Sequence, residues 1–225
     1  MPLTLGVIAP TPTWSRPVGD AGNAESYSHE VLFHHLDGIP ASAILRPVPN
    51  PELLAPYLAA ARDLASRGAR VIGTTCGFLS PLQAQISADI GVPFVSSALL
   101  QVPLAWAVTR RRVGIITADD TALTPAYLEA AGVTEAIPTA IVGLQTYPAF
   151  TASAVKGAKN MDQDAVRAGI LEATRDLLAT RPDIGSIVLE CHNLPPFSPD
   201  IRAATGLPVY DVLTMMEWAS SGVAA

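Results

Sequence analysis

The chain consists of two halves that have the same order of parts. The segment Leu5–Ala9 is similar to Val113–Thr117, and Arg70–Cys76 is similar to Gly185–Cys191. After each cysteine, at the same spacing, comes a glycine followed by an apolar residue and proline. An internal repeat of this kind means that one supersecondary unit is used twice. The fold must therefore place Cys76 and Cys191 at equivalent positions of two similar lobes.

Short apolar runs bounded by glycine, proline or charges predict the strands, and helical patterns lie between them. We expect strands at 3–9, 42–48, 70–75, 93–96, 112–117, 138–144, 186–190 and 207–210. Helices are expected at 51–66, from the capping box at Ser80 to about Asp89, at 124–131, at 162–180 and from Ser198 onward.

Strands that alternate with helices form parallel sheets covered by helices. The predicted fold is therefore α/β with two pseudo-symmetric lobes, each a four-stranded parallel sheet flanked by helices, and an active-site cleft between them. We expect the N-terminal lobe to span 1–97, completed by a C-terminal helix at 212–225, and the C-terminal lobe to span 98–211.

Composition restricts the possible partners. Hydrophobic residues make up 49% of the 225 residues and charged residues 15%, a balance that indicates a packed core. The net charge is −6, and basic residues cluster only at Arg110–Arg112, so we expect no nucleic-acid partner. Low charge and apolar helices predict a homo-oligomer.

The expected compartment is the cytoplasm, without a membrane. The first residues show neither a basic segment nor a long apolar run typical of a signal peptide. The longest apolar region, 92–108, is interrupted by Pro93 and Pro103 and is too short to cross a bilayer. With two cysteines far apart in sequence, free thiols are expected rather than a disulfide.

The position of each cysteine suggests acid–base chemistry. Each ends a buried strand and precedes a turn into a helix, which places the sulfur at the carboxyl edge of a sheet beside free backbone N–H groups. Such groups stabilise a thiolate or a substrate carboxylate. Two thiols facing one cleft could remove a proton from one face of a carbon and return it to the other, without metal or cofactor. The alternative is that both cysteines are only small buried hydrophobic residues.

Other motifs carry less information. The segment His29–His35 resembles a zinc motif, but His29 and His34 are spaced by five residues instead of four, so a solvated helix is predicted. The chain contains neither a glycine-rich dinucleotide motif nor a phosphate-binding loop, and we expect no cofactor and no metal. The polar loop 11–26 is either a mobile connection or a binding loop beyond the first strand.

The two cysteine motifs also resemble a known family. Thr74–Leu79 and Leu189–Pro196 are similar to the paired motifs of the aspartate/glutamate/hydantoin racemase superfamily, and Gly6–Thr11 resembles its first strand and loop. The resemblance implies a two-lobed fold and cofactor-independent catalysis with Cys76 and Cys191 as the acid–base pair. By position, it implies that a small substrate carboxylate is held by Thr11, Thr75, Gly77, Phe78, His192 and Asn193.

Within the superfamily, the chain resembles the branch that includes dimethylsulfoniopropionate lyases. The similar segments are Cys76–Phe78, Glu190–Pro196, Ile201–Val209 and Gly143–Phe150. Ala9, where the glutamate racemases have an acidic residue, argues against glutamate as the substrate. His192 could assist Cys191 or only hydrogen-bond the turn.

Three functions follow. The first expectation is a racemase or isomerase of a small carboxylate or amino acid, acting by two-cysteine proton transfer at the α-carbon. The second is a lyase that uses the same proton abstraction for β-elimination, converting dimethylsulfoniopropionate to dimethyl sulfide and acrylate. The third is a non-catalytic small-molecule binding protein.

Overall fold

The sheets of the protein follow the sequence repeat. The computed structural model describes residues 3–11, 16–152 and 162–223. The first sheet contains β1 (Thr4–Pro10), β2 (Glu30–Leu36), β3 (Val71–Thr74) and β4 (Phe94–Val95) in the order β2-β1-β3-β4. The second contains β5 (Arg112–Thr117), β6 (Thr139–Gly143), β7 (Ile184–Leu189) and β8 (Val209–Tyr210) in the order β6-β5-β7-β8. All of these pairings are parallel, which confirms the predicted α/β fold with two four-stranded sheets.

The helices connect the strands, and the last one follows β8. They are α1 (Ala41–Ile44), α2 (Leu54–Ser66), α3 (Gln83–Ser87), α4 (Val102–Thr109), α5 (Pro125–Ala130), α6 (Pro148–Phe150), α7 (Gln163–Thr180), α8 (Ser198–Thr205) and α9 (Val212–Ser221). The two longest helices begin or end at residues that their sequences indicate. Gly68, with a φ of +95°, lies just past the end of α2, and the Asp162 side chain caps the start of α7. None of the helices in the described part of the chain combines the length and the apolar character that a membrane crossing requires.

The second strand is not where the sequence pattern suggested. Residues 42–48 do not form a strand, because Pro40 starts the short helix α1 and irregular chain follows it. The strand is instead Glu30–Leu36, where a solvated helix was expected, and it pairs with β1 along its whole length. As an edge strand it is only half-buried, so it tolerates His34 and His35 and lacks a continuous apolar run. Among the described residues, no group of side chains is arranged to hold a metal ion.

The expected capping box at Ser80 is also wrong. The chain forms a 3-10 helix over Gly77–Leu82, and α3 then runs only from Gln83 to Ser87. The Ser80 hydroxyl donates to the backbone carbonyl of Tyr127 at 2.8 Å instead of capping a helix. The side chain therefore links the segment after the first cysteine to the second lobe.

The two sheets are held together by a shared hydrophobic core. One cluster of buried residues includes Leu5 and Val71 of the first sheet together with Ile115 and Val188 of the second. Each sheet also packs against its own helices through a further cluster of buried residues. Helix α9 packs on the first sheet, where the sulfur of Met216 lies 2.4 Å from the position that a Cβ on Gly73 would take. The proposed lobe boundary between residues 97 and 98 stays a prediction.

Candidate active site

The two cysteines lie side by side where the lobes meet. Each cysteine follows its strand after one intervening residue, Cys76 after β3 and Cys191 after β7. The backbones of Cys76 and Cys191 form an isolated antiparallel bridge. Both thiols are free; Cys191 is 7% exposed and Cys76 is half-buried. Two motifs far apart in the sequence thus meet at one point of the fold.

Each thiol has a backbone donor at the same relative position. The N–H of Phe78 favours the thiolate of Cys76, and the N–H of Asn193 favours the thiolate of Cys191. The side-chain amide of Asn193 also donates to Cys191 Sγ at 3.7 Å. The sequence repeat therefore extends to the hydrogen bonds around the sulfur atoms.

Burial and a neighbouring carboxylate oppose ionisation of the thiols. Burial raises the pKa of Cys76 well above its ordinary value, and the negative charges of Glu190 and of Cys191 raise it further. Burial, followed by the charge of Glu190, raises the pKa of Cys191 to about 12. Both sulfurs therefore hold their protons at neutral pH.

The carboxylate of Glu190 is buried between the two cysteine motifs, with 2% of the residue exposed. Its Oε2 accepts a hydrogen bond from the Thr117 hydroxyl at 2.7 Å, whereas Oε1 has no partner among the described residues. Burial raises the pKa of Glu190 to about 7, although Thr117 and the Ala118 N–H favour the ionised form. A Cβ on Gly77 would lie 2.1 Å from Oε1, so the carboxylate occupies the space of the missing side chain.

The sequence interpretation missed Glu190 as a site residue. One signal was present: a carboxylate directly follows the uncharged strand β7 and directly precedes Cys191. A charge at the buried end of a strand has a large desolvation cost and calls for an explanation.

Part of the loop after β1 packs on the second cysteine motif. Arg16 Nη1 donates to Asp20 Oδ1 at 3.0 Å and to Asn193 Oδ1 at 3.3 Å. Burial raises the pKa of Asp20 against the effect of Arg16, and the Gly22 N–H donates to the same carboxylate at 2.7 Å. Residues 12–15 of the loop 11–26 lie outside the described residues. The part of the loop from Arg16 onward contributes to the surroundings of Cys191.

The structure places the other expected substrate-binding residues in different settings. Thr11 is exposed and its hydroxyl donates to Asp37. Thr75 is buried, and its hydroxyl has no partner among the described residues. Phe78 packs edge-on against Tyr127 with ring centroids 5.0 Å apart, and its backbone N–H is the donor to Cys76.

His192 does not supply a positive charge to the site. Burial, and then the neighbouring Arg16, hold the pKa of its half-buried imidazole well below the ordinary value. The ring is therefore neutral at physiological pH. Assistance to Cys191 by a protonated imidazolium does not fit this environment. A neutral ring fits either packing or contact with a substrate.

Solved structures share this fold at low sequence identity. Arylmalonate decarboxylase superposes with a TM-score of 0.64 and 18% identity, covering 99% of this chain and 95% of that one. Allantoin racemase from Pseudomonas fluorescens gives 0.62 at 16% identity, with 97% and 90% covered. Aspartate racemase from Picrophilus torridus gives 0.62 at 13% identity, with 97% and 92% covered. These similarities identify the fold.

Curated relatives give a more specific result, although no protein-family model matches the chain. A dimethylsulfoniopropionate lyase of Durusdinium sp. clade D is 31% identical over 222 residues, which cover 96% of this chain and 73% of that protein. The chain belongs to the family that includes this lyase. Dimethylsulfoniopropionate lyase 7 of Emiliania huxleyi is 28% identical, with 94% of this chain and 64% of that protein covered.

Membership of the family agrees with the expectation from the cysteine motifs, including the branch of the racemase superfamily. The chain spans only 57% of the length of some other relatives, such as lyase 3 of Emiliania huxleyi. The shared region covers 94% of this chain.

Proposed function

We propose that the protein is a cofactor-independent enzyme that removes the α-proton of a small carboxylate, with Cys76 and Cys191 as the proton-transferring groups. The observation that carries the proposal is the direct backbone bridge between the two cysteines, each with a backbone donor two residues further on. This arrangement supports the proposal because two thiols on bridged backbones can serve one substrate, and the N–H groups can stabilise negative charge that develops during the reaction.

Within this chemistry, we assign β-elimination from dimethylsulfoniopropionate as the leading reaction. Its support is the relationship to lyases at up to 31% identity across nearly the whole chain. One thiolate takes the proton from the carbon next to the carboxylate, the bond from the β-carbon to sulfur breaks, and dimethyl sulfide leaves with the bonding electrons. The products are acrylate and a neutral thiol, which must lose its proton before the next turnover.

The second candidate is racemisation at the α-carbon, which the sequence motifs suggested first. The repeated arrangement of the thiols favours it, because inversion requires one base and one acid on opposite faces of the carbon. A thiolate would take the proton from one face, and the other thiol would return a proton to the opposite face. Residues Thr75, Gly77, Phe78, His192 and Asn193 stay candidates for holding the carboxylate, as does Thr11.

Proton NMR in deuterated water separates the candidates. The enzyme is incubated with dimethylsulfoniopropionate, with both enantiomers of aspartate and glutamate, and with hydantoin derivatives. Vinylic signals of acrylate are the expected result with dimethylsulfoniopropionate. Loss of an α-proton signal with no new compound would instead support racemisation.

Variants lacking one thiol supply the control. For β-elimination, we expect a loss of at least about 100-fold in rate, the usual contribution of a positioned acid or base, in the one variant of Cys76→Ala and Cys191→Ala that lacks the base. Racemisation predicts a loss of this size in both variants. Full turnover by both variants would contradict the assignment of the cysteines. A wild-type protein that binds a carboxylate, measured by thermal shift, but converts none of them would favour the non-catalytic binding protein.

A further inference from the structure

The carboxylate of Glu190 has a position that its structural contact does not explain. The Thr117 hydroxyl and the Ala118 N–H stabilise the carboxylate, but Oε1 is buried and has no hydrogen-bond partner among the described residues. A buried polar atom without a partner carries a desolvation cost, and a glutamine or an apolar residue would avoid the cost of burying a charge. These observations favour a role of Glu190 in the chemistry of the site.

The neighbours of Oε1 are the cysteine motifs themselves. Oε1 lies over Gly77, the residue after Cys76, at the place where any side chain would be. Glu190 also directly precedes Cys191. Its charge acts on both thiols, and Cys76 is the more exposed of the two. Because Gly77 has no side chain, the Glu190 carboxylate can occupy this place beside Cys76.

We infer that Glu190 is a third proton-carrying group of the site, which takes up the proton of Cys76 when the thiolate forms. In this step the S–H bond of Cys76 breaks and its electron pair stays on sulfur, while the proton binds to the Glu190 carboxylate. The site contains one negative charge before and after the transfer. Glu190 acts through Cys76 and not on the substrate, so it is a positioning residue, and the inference rests on the proposed function.

The charged and titratable groups around the carboxylate fit this role. Cys76 and Cys191 face it from the two strand ends, Thr117 donates from β5, and the phenol of Tyr127 is affected by the charges of both Cys76 and Glu190. Burial brings the pKa of Glu190 to about 7, so both of its protonation states are accessible near neutral pH. A group with such a pKa exchanges protons efficiently under physiological conditions.

Glu190→Gln tests the inference because it keeps the shape and a hydrogen-bonding oxygen for Thr117 but binds no proton. The first measurement is the rate of Cys76 alkylation by iodoacetamide without substrate, followed by peptide mass spectrometry. The Cys76 thiolate forms when Glu190 is neutral, and at pH 8 about one tenth of the wild-type Glu190 is neutral. Because Glu190→Gln is always neutral, its Cys76 should be alkylated about ten times faster than that of the wild type. At pH 6 the two rates should agree, and Glu172→Gln, at an exposed position of α7, should behave as the wild type.

The second measurement is steady-state turnover on the substrate found in the NMR panel. We expect Glu190→Gln to lose about 100-fold in kcat with little change in KM, although its thiol reacts faster, and Glu190→Asp to recover part of the loss. An unchanged or increased kcat would overturn the inference and leave Glu190 as a charge that only suppresses the thiolate.

Failure of the proposed function is distinguishable from failure of the inference. If the wild type converts no carboxylate, the proposed function fails, while alkylation still reports on Glu190. Equal alkylation rates of the wild type and Glu190→Gln at pH 8 would show that the carboxylate does not act on Cys76, and the inference would then be wrong whatever the enzyme's activity.

Discussion

The buried carboxylate of Glu190 should make the stability of the protein depend on pH in a direction that is unusual for an acidic residue. Its pKa is about 7 in the folded protein and 4.5 in the ordinary, solvated state. The folded state therefore holds the proton more tightly than the unfolded state does. The contribution of this group to stability is greatest below pH 4.5, decreases as the pH rises toward 7, and is constant at higher pH.

The magnitude follows from the same two pKa values. Each unit of difference corresponds to about 1.4 kcal/mol, so the complete loss is about 3 kcal/mol, and most of it falls between pH 5 and pH 8. Glu190→Gln does not titrate. Relative to the wild type, its free energy of unfolding should therefore rise by about 2–3 kcal/mol between these two pH values.

Urea unfolding of both proteins at pH 5 and pH 8 measures this difference. The buried carboxyls of Asp20 and Asp211, whose pKa values burial also raises, are present in both proteins and cancel. Glu172→Gln serves as the control for loss of a charge at an exposed position and should show no relative change. A relative change smaller than about 1 kcal/mol, or one of opposite sign, would refute the reasoning about burial of Glu190.

Two further predictions concern stability. Asp211→Ala should lower the free energy of unfolding by about 1–2 kcal/mol, because Asp211 caps α9 at the Thr214 N–H (2.9 Å) and accepts from Ser198 (2.6 Å); an unchanged urea midpoint would contradict this. Gly73→Ala should cost about 1–3 kcal/mol, because the new Cβ would lie 2.4 Å from the Met216 sulfur. Combined with Met216→Ala, the same substitution should cost less than the sum of the single changes in urea unfolding, and strict additivity would count against the contact.

The four central strands could be predicted from the sequence because burial on both sides sets their pattern. The central strands β1, β3, β5 and β7 are continuous apolar runs because helices cover both faces of a parallel sheet, and such a run is visible without any neighbour. The edge strand β2 is covered less completely, so its two histidines were compatible with a helix. Only its pairing with β1 decided its conformation.

The same distinction applies to the site. The sequence alone determined that two cysteines occupy equivalent strand ends, because a repeat with the same spacing must fold in the same way twice. It could not determine which side chain from one lobe fills space beside the other. The contacts of Glu190 with Gly77 and Thr117, and of Arg16 with Asn193, join residues that are far apart in the chain. Tertiary packing decided these contacts, and with them the burial that sets the pKa of Glu190 and of both thiols.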